Sequence, residues 1–193
     1  MQKGTFLASL SIIIVLTTNV GSASTWARTY SVANKNITAY SAGPTADGGF
    51  FAAGALYTSP NDLSSFDIVL TKLNAGGDIQ WQKTYGGNNR EISYSTFATS
   101  DGGFLIAGST ASFGAGADDF WLLKLNSAGD IQWQKTYGTT QSDIPYSASE
   151  TPDGGYIVTG ITGFLGGSGH FWILKLDSAG EYEWQRIFGD FNL

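Results

Sequence analysis

The chain of 193 residues is long enough for one domain, or a domain with an appendage. Its composition, 13% charged and 14% aromatic with 26 Gly, is the reverse of a disordered chain and too glycine-rich for a long-helix protein. Ten Lys and Arg, scattered singly, stand against 16 Asp and Glu, for a formal charge of −6; nucleic acid and anionic membrane surfaces, which need clustered cations, are excluded as partners, and the lack of Cys excludes disulfides, thiolate metal sites and a Cys nucleophile.

Residues 1–24 read as an address. Lys3 precedes an apolar run from Phe6 to Leu16, and Gly21-Ser22-Ala23-Ser24 follows it. This is the order of a secretory signal peptide, with cleavage expected after Ala23 or Ser24. The run has 11 residues, where a bilayer span needs about 20. The expected mature chain is secreted or held at the cell surface, the periplasm included, and is not membrane-bound after cleavage.

The rest of the chain repeats. Trp occurs at 26, 81, 133 and 184, Asp-Gly-Gly begins at Asp47, Asp101 and Asp153, and Lys-Leu begins at Lys72, Lys124 and Lys175. The segment G-D-I-Q-W-Q-K-T-Y-G appears at 77–86 and again at 129–138. The period is close to 52 residues. Trp26 lies in T-W-A-R-T-Y, which aligns with the last run of each unit, so an extra fourth-type strand precedes three complete units at about 37–86, 92–138 and 144–189.

Each unit splits into four short runs rich in Ile, Val, Phe, Tyr, Trp and Thr; in the second they are Ile92–Thr99, Phe104–Thr110, Phe120–Leu125 and Ile131–Tyr137. Asp-Gly-Gly makes the first turn and a Gly (Gly77, Gly129, Gly180) the third. The two central runs, such as Phe104-Leu105-Ile106-Ala107, are apolar at consecutive positions and so must be covered on both faces. A four-stranded antiparallel sheet covered on both faces and repeated about every 50 residues is a propeller blade. The predicted fold is all-β, an array of three blades plus an N-terminal strand. Three blades fall short of the usual four to eight. The array therefore continues in a longer chain, closes a six-bladed ring with a second copy, or stays open; in each case its end faces invite self-association. The second-to-third-strand loops, 58–66, 111–119 and 163–170, vary in length and share one face of the array, where a binding function is expected.

The segment L-[ND]-x-x-G-[DE]-x-x-W, at Leu73–Trp81, Leu125–Trp133 and Leu176–Trp184, resembles the tryptophan-docking motif of quinoprotein-type (PQQ-like) propellers. That resemblance implies a blade-docking role for Trp81, Trp133 and Trp184, with Trp26 as their N-terminal equivalent. The whole unit is similar to repeat arrays of secreted bacterial and archaeal surface proteins, some of them grouped as endoglucanase-like. The resemblance does not extend to a quinone cofactor: the adjacent-Cys ring of many such dehydrogenases cannot form, three blades cannot enclose the ring system, and no cofactor is expected.

Several residues are candidates for chemistry. His170, the single His, fills the slot of Asp67 and Asp119 and reads as a polar strand-start residue; no metal site is expected. The Asp of each Asp-Gly-Gly is explained by its turn, in the absence of a D-x-D-x-D-G calcium loop. Asn36, Glu91 and Asp143 hold equivalent positions before the first strand, where they would ring the channel mouth. Glu91 and Asp143 are the pair available for acid–base work on a glycoside. Glu150 reads as surface. Tyr57, Phe113 and Phe164 on the variable face form a candidate platform for a ligand. The expected function is a secreted binding or structural scaffold whose partner is an extracellular protein or a glycan. The alternative is a carbohydrate-active hydrolase using Glu91 and Asp143.

Overall fold

The computed structural model describes residues 12–15, 27–30, 36–59, 62–165 and 168–189, and among them every regular element is a strand. Strand β1 (Ile12–Val15), inside the expected address segment, pairs antiparallel with β2 (Ala27–Tyr30). Three four-stranded antiparallel meanders follow. Unit 1 is β3 (Ile37–Pro44), β4 (Phe50–Ser59), β5 (Asp62–Leu73) and β6 (Ile79–Tyr85). Unit 2 is β7 (Glu91–Ala98), β8 (Phe104–Thr110), β9 (Asp119–Leu125) and β10 (Ile131–Tyr137). Unit 3 is β11 (Ser142–Glu150), β12 (Tyr156–Leu165), β13 (Ser168–Leu176) and β14 (Tyr182–Phe188). The unit bounds agree with the repeat phase to within two residues. The arrangement is an open propeller: the first strands β3, β7 and β11 neighbour one another on the inside of the array.

The apolar runs of the central strands divide by parity between two seams, as their pleat requires. Phe104 and Ile106 of β8, with Trp121, Leu123 and Leu125 of β9, join Phe51, Ala53, Ile68, Leu70 and Tyr85 of unit 1 in one core. Leu105, Ala107, Phe120 and Leu122, the intervening residues, join Ala148, Tyr156, Val158, Trp172, Leu174 and Leu176 of unit 3 in another. All seven residues of β8 and of β9 are buried, because unit 2 has a neighbour on each side. The outward face of unit 1 is lighter: Phe50, Ala52 and Leu73 are met by Tyr30 from β2.

The fourth strand of each unit reaches across the seam. Trp133, Lys135 and Tyr137 share one face of β10, opposite Lys124, Leu122 and Phe120 of β9. The Tyr137 hydroxyl donates to the Gly180 carbonyl of unit 3, and Lys135 pairs with Glu181. The same contacts occur one unit earlier, from Tyr85 to the Gly129 carbonyl at 2.7 Å and from Lys83 to Asp130 at 2.6 Å. Gly129 has φ 78°, and a Cβ there would stand 2.9 Å from the Trp81 ring, so the turn conformation and the ring contact both require Gly. Tyr30 donates to the Gly77 carbonyl in the corresponding way, so the N-terminal strand supplies unit 1 with the contact expected of a preceding fourth strand.

A buried lysine ties the Asp-Gly-Gly turn of each unit to the turn between its third and fourth strands, at the same end of the sheet. Lys124 Nζ donates to both carboxylate oxygens of Asp101, at 3.0 and 2.7 Å, to the Leu125 carbonyl and to Gln132. Lys72 repeats this set with Asp47, Leu73 and Gln80, and Lys175 with Asp153, Leu176 and Glu183. The register slips by one residue at Gln80, Gln132 and Glu183, a bulge that presents these side chains to the lysine.

Candidate binding site

Each first strand carries one extra residue, and in each unit it is a tyrosine. The register passes from Ala39 to Ser41, from Ser93 to Ser95 and from Pro145 to Ser147, leaving Tyr40, Tyr94 and Tyr146 unpaired. Gly54, Gly108 and Gly160 lie opposite; a Cβ on Gly108 would stand 2.3 Å from the Ile92 carbonyl oxygen, so the partner strand admits the bulge only as glycine. A bulge bends its strand and re-aims the side chain it carries. Because the first strands are neighbours, the three rings fall in series. Tyr40 and Tyr94 have centroids 6.4 Å apart at 31°, and Tyr94 and Tyr146 are 5.9 Å apart, edge to face. Tyr40 is 47% and Tyr146 53% exposed, so both rings face outward rather than into a core.

Beside Tyr94 opens a cleft of about 410 Å³, within the size range of small-ligand sites. Phe66 of unit 1 and Ile144 of unit 3 form opposite walls, and Arg90, Ile92, Tyr94, Ser109 and Asp118 of unit 2 line the rest. The cleft exists only where three units meet. Arg90 grips Asp118 bidentately, through Nη2 to Oδ2 at 2.5 Å and Nε to Oδ1 at 3.1 Å. Asp118 is buried while half of Arg90 remains exposed. The hydrogen bonds that Arg90 donates to Asp118 raise the Arg90 pKa. Burial raises the Tyr94 phenol above its ordinary value; Ser109 opposes this, and the nearby Asp118, Tyr146 and Tyr40 add to it. At neutral pH the cleft thus presents the protonated Tyr94 phenol with its apolar ring face and one internally neutralised ion pair.

The other candidates lie elsewhere. Glu91 and Asp143 are fully buried. Glu91 accepts from the Gly87 amide and the Thr110 hydroxyl, both at 2.9 Å. Asp143 accepts from the Thr139 amide and hydroxyl at 2.6 and 3.0 Å and from the Gly163 amide at 3.0 Å. They point into the seams, not to the channel mouth, and the cleft is lined instead by the next residues, Ile92 and Ile144. Each meets an acid of the preceding unit. A Cβ on Gly138 would stand 1.9 Å from Asp119 Oδ1 and 2.9 Å from Asp143 Oδ2, and Gly86 is placed likewise between Asp67 and Glu91. Asp119 Oδ2 accepts the Ala115 and Gly116 amides, while Oδ1 is buried without a partner. Burial raises the Asp119 pKa; the two amide bonds oppose this, and the charges of Asp143 and Asp118 add to it.

His170 occupies the third copy of this slot, against Gly189. The Asp-Gly-Gly aspartates are taken up by their turns and by the buried lysines. Asp101 accepts from the Thr99 hydroxyl and the Gly103 amide as well as from Lys124. Glu150 bridges units 2 and 3, accepting the amide and hydroxyl of Ser100 at 2.8 and 2.7 Å. Tyr57 packs its ring on Phe66 at 5.4 Å, and so supports one wall of the cleft. Phe113 is 43% exposed and lies on Trp121 of its own unit at 5.4 Å, anchoring its loop. The Phe164 side chain and all of Trp26 lie outside the described residues. Trp81 meets Phe104 edge-on across the first seam at 5.7 Å, and Trp133 meets Tyr156 across the second at 5.9 Å. Trp184 is 41% exposed. Among the described residues no group of three or more His, Cys, Asp or Glu is arranged to hold a metal ion.

No protein-family model matches the chain, and a search of curated proteins returned no match.

Proposed function

We propose that the protein is a secreted propeller-repeat scaffold that binds a partner outside the cell and performs no hydrolysis. Residues 1–24 serve as its export signal, and Trp81 and Trp133 dock successive blades in the manner of quinoprotein-type propellers. The observation that carries the binding reading is the contrast between two sets of side chains. Glu91 and Asp143 are sealed in the seams with their oxygens occupied, whereas a general acid must reach the atom it protonates. The groups that converge and remain accessible are aromatic rings and a paired arginine, which recognise but do not cleave.

The test uses the mature chain on insoluble wall polysaccharide. Retention without release of reducing sugar is expected, and Glu91→Gln should lower thermal stability and leave retention intact. Release of reducing sugar that disappears in Glu91→Gln would establish the hydrolase instead. Amino-terminal sequencing of the exported protein should begin at Ser24 or Thr25.

A further inference from the structure

We infer that the cleft beside Tyr94 is a subsite for a neutral carbohydrate chain, with one pyranose seated on Tyr94 and its neighbours on Tyr40 and Tyr146; this rests on the binding reading above. A pyranose has an apolar face of C–H bonds and a rim of hydroxyls that both donate and accept. Its recognition needs aromatic rings beside rigid planar polar groups of both kinds. Tyr94 and its exposed neighbours supply the rings. Arg90 and Asp118 fix each other in a plane, and the guanidinium spends two of its five N–H donors in doing so. Phe66, Ile92 and Ile144 add apolar lining to the cleft.

Other ligand classes fit less well. Arg90 is already neutralised by Asp118, and the chain carries −6, so a phosphate or other polyanion gains little and is repelled at long range. An extended peptide would add along the free edges of β3, β7 and β11, but the tyrosine bulge interrupts that edge in all three. A lipid chain would strip water from Arg90, Asp118 and the phenol hydroxyls without replacing their hydrogen bonds.

The experiment is isothermal titration of the mature chain with cellohexaose, laminarihexaose and chitohexaose, repeated with the Tyr40→Ala/Tyr146→Ala double variant and with Phe113→Ala. Both tyrosines are exposed, so the double variant should melt within a few degrees of the parent. At least one hexaose should saturate the parent, and the double variant should bind it roughly tenfold or more weakly, the scale of losing stacked aromatic contacts. Phe113→Ala should bind as the parent does. Failure of all three sugars to bind, or equal binding by the double variant, overturns the assignment. Wall retention that survives in the double variant removes this site and leaves the scaffold reading standing; a parent chain that is not retained at all removes both.

Discussion

Truncating the three tryptophans one at a time gives the sharpest test of the seams, because equivalent positions of the repeat meet different structural surroundings. Trp81 and Trp133 are half-buried against the hairpin of the following unit, each ring within van der Waals reach of a turn glycine and edge-on to Phe104 or Tyr156. An aromatic side chain buries roughly 150–250 Å² when fully enclosed; a half to two-thirds of that, at about 25 cal/mol per Å², gives roughly 2–4 kcal/mol for Trp→Ala. Trp184 rests on its own sheet with Arg186 over its ring at 5.8 Å, and no described unit faces it. Its truncation should cost about 1 kcal/mol or less, as at other surface sites. For a chain of this size 1 kcal/mol moves the melting temperature by about 2–4 °C. Thermal unfolding followed by circular dichroism should therefore show losses of roughly 5–12 °C for Trp81→Ala and Trp133→Ala and under about 4 °C for Trp184→Ala. Equal losses at all three positions, or the largest loss at Trp184, would refute the seam assignment.

Two further predictions concern buried charge. Asp119→Asn should stabilise the protein at pH 7 by about 1 kcal/mol, because the amide can still accept the Ala115 and Gly116 amides and sets a donor at the unpartnered oxygen. The Asp119 pKa is raised in the fold, so its ionised form costs stability above the unfolded value near pH 4. The gain in the variant should vanish below about pH 4, as read from urea unfolding across that range. The Asp101–Lys124 pair has the opposite sign. Desolvation works to raise the Asp101 pKa, but the bonds from Lys124, Thr99 and the Gly103 amide outweigh it and hold the carboxyl at about 2. Its contribution is full above about pH 4 and lost as pH falls through about 2. Lys124→Met should cost about 1–3 kcal/mol at pH 7, and its melting temperature should fall less steeply than the parent's between about pH 4 and pH 2.

The architecture was legible because repetition supplies three readings of one pattern. Runs such as Phe104–Ala107, apolar at every position, could only be strands covered on both faces, and the parity split of β8 and β9 between two seams is the physical form of that pattern. The site was less legible, and one inserted residue per unit explains why. A strand's facing is set by counting in twos, and a bulge resets the count. The Tyr-Ser pairs at 40, 94 and 146, each 14 residues before the glycine that receives the bulge, mark it in retrospect, but nothing local separates them from regular strand residues. Glu91 and Asp143 were expected at the channel mouth for want of a parity reference; the structure turns them into the seams and gives Ile92 and Ile144 to the cleft. The buried lysines were visible only as phase markers of the repeat. Their pairing with Asp-Gly-Gly depends on β4 and β5 lying side by side, a long-range fact with no local signature. Glu150, read as surface, proved to be a bridge for the same reason: its partner Ser100 belongs to the preceding unit.

Calorimetry of residues 25–193 bears most directly on whether the three units form one body through shared seams. If the cores that join unit 1 to unit 2 and unit 2 to unit 3 are intact, the chain should melt in a single transition whose van't Hoff enthalpy equals the calorimetric one. Separate transitions, or a van't Hoff enthalpy near one third of the calorimetric value, would mean that the units melt as independent beads and would contradict the account.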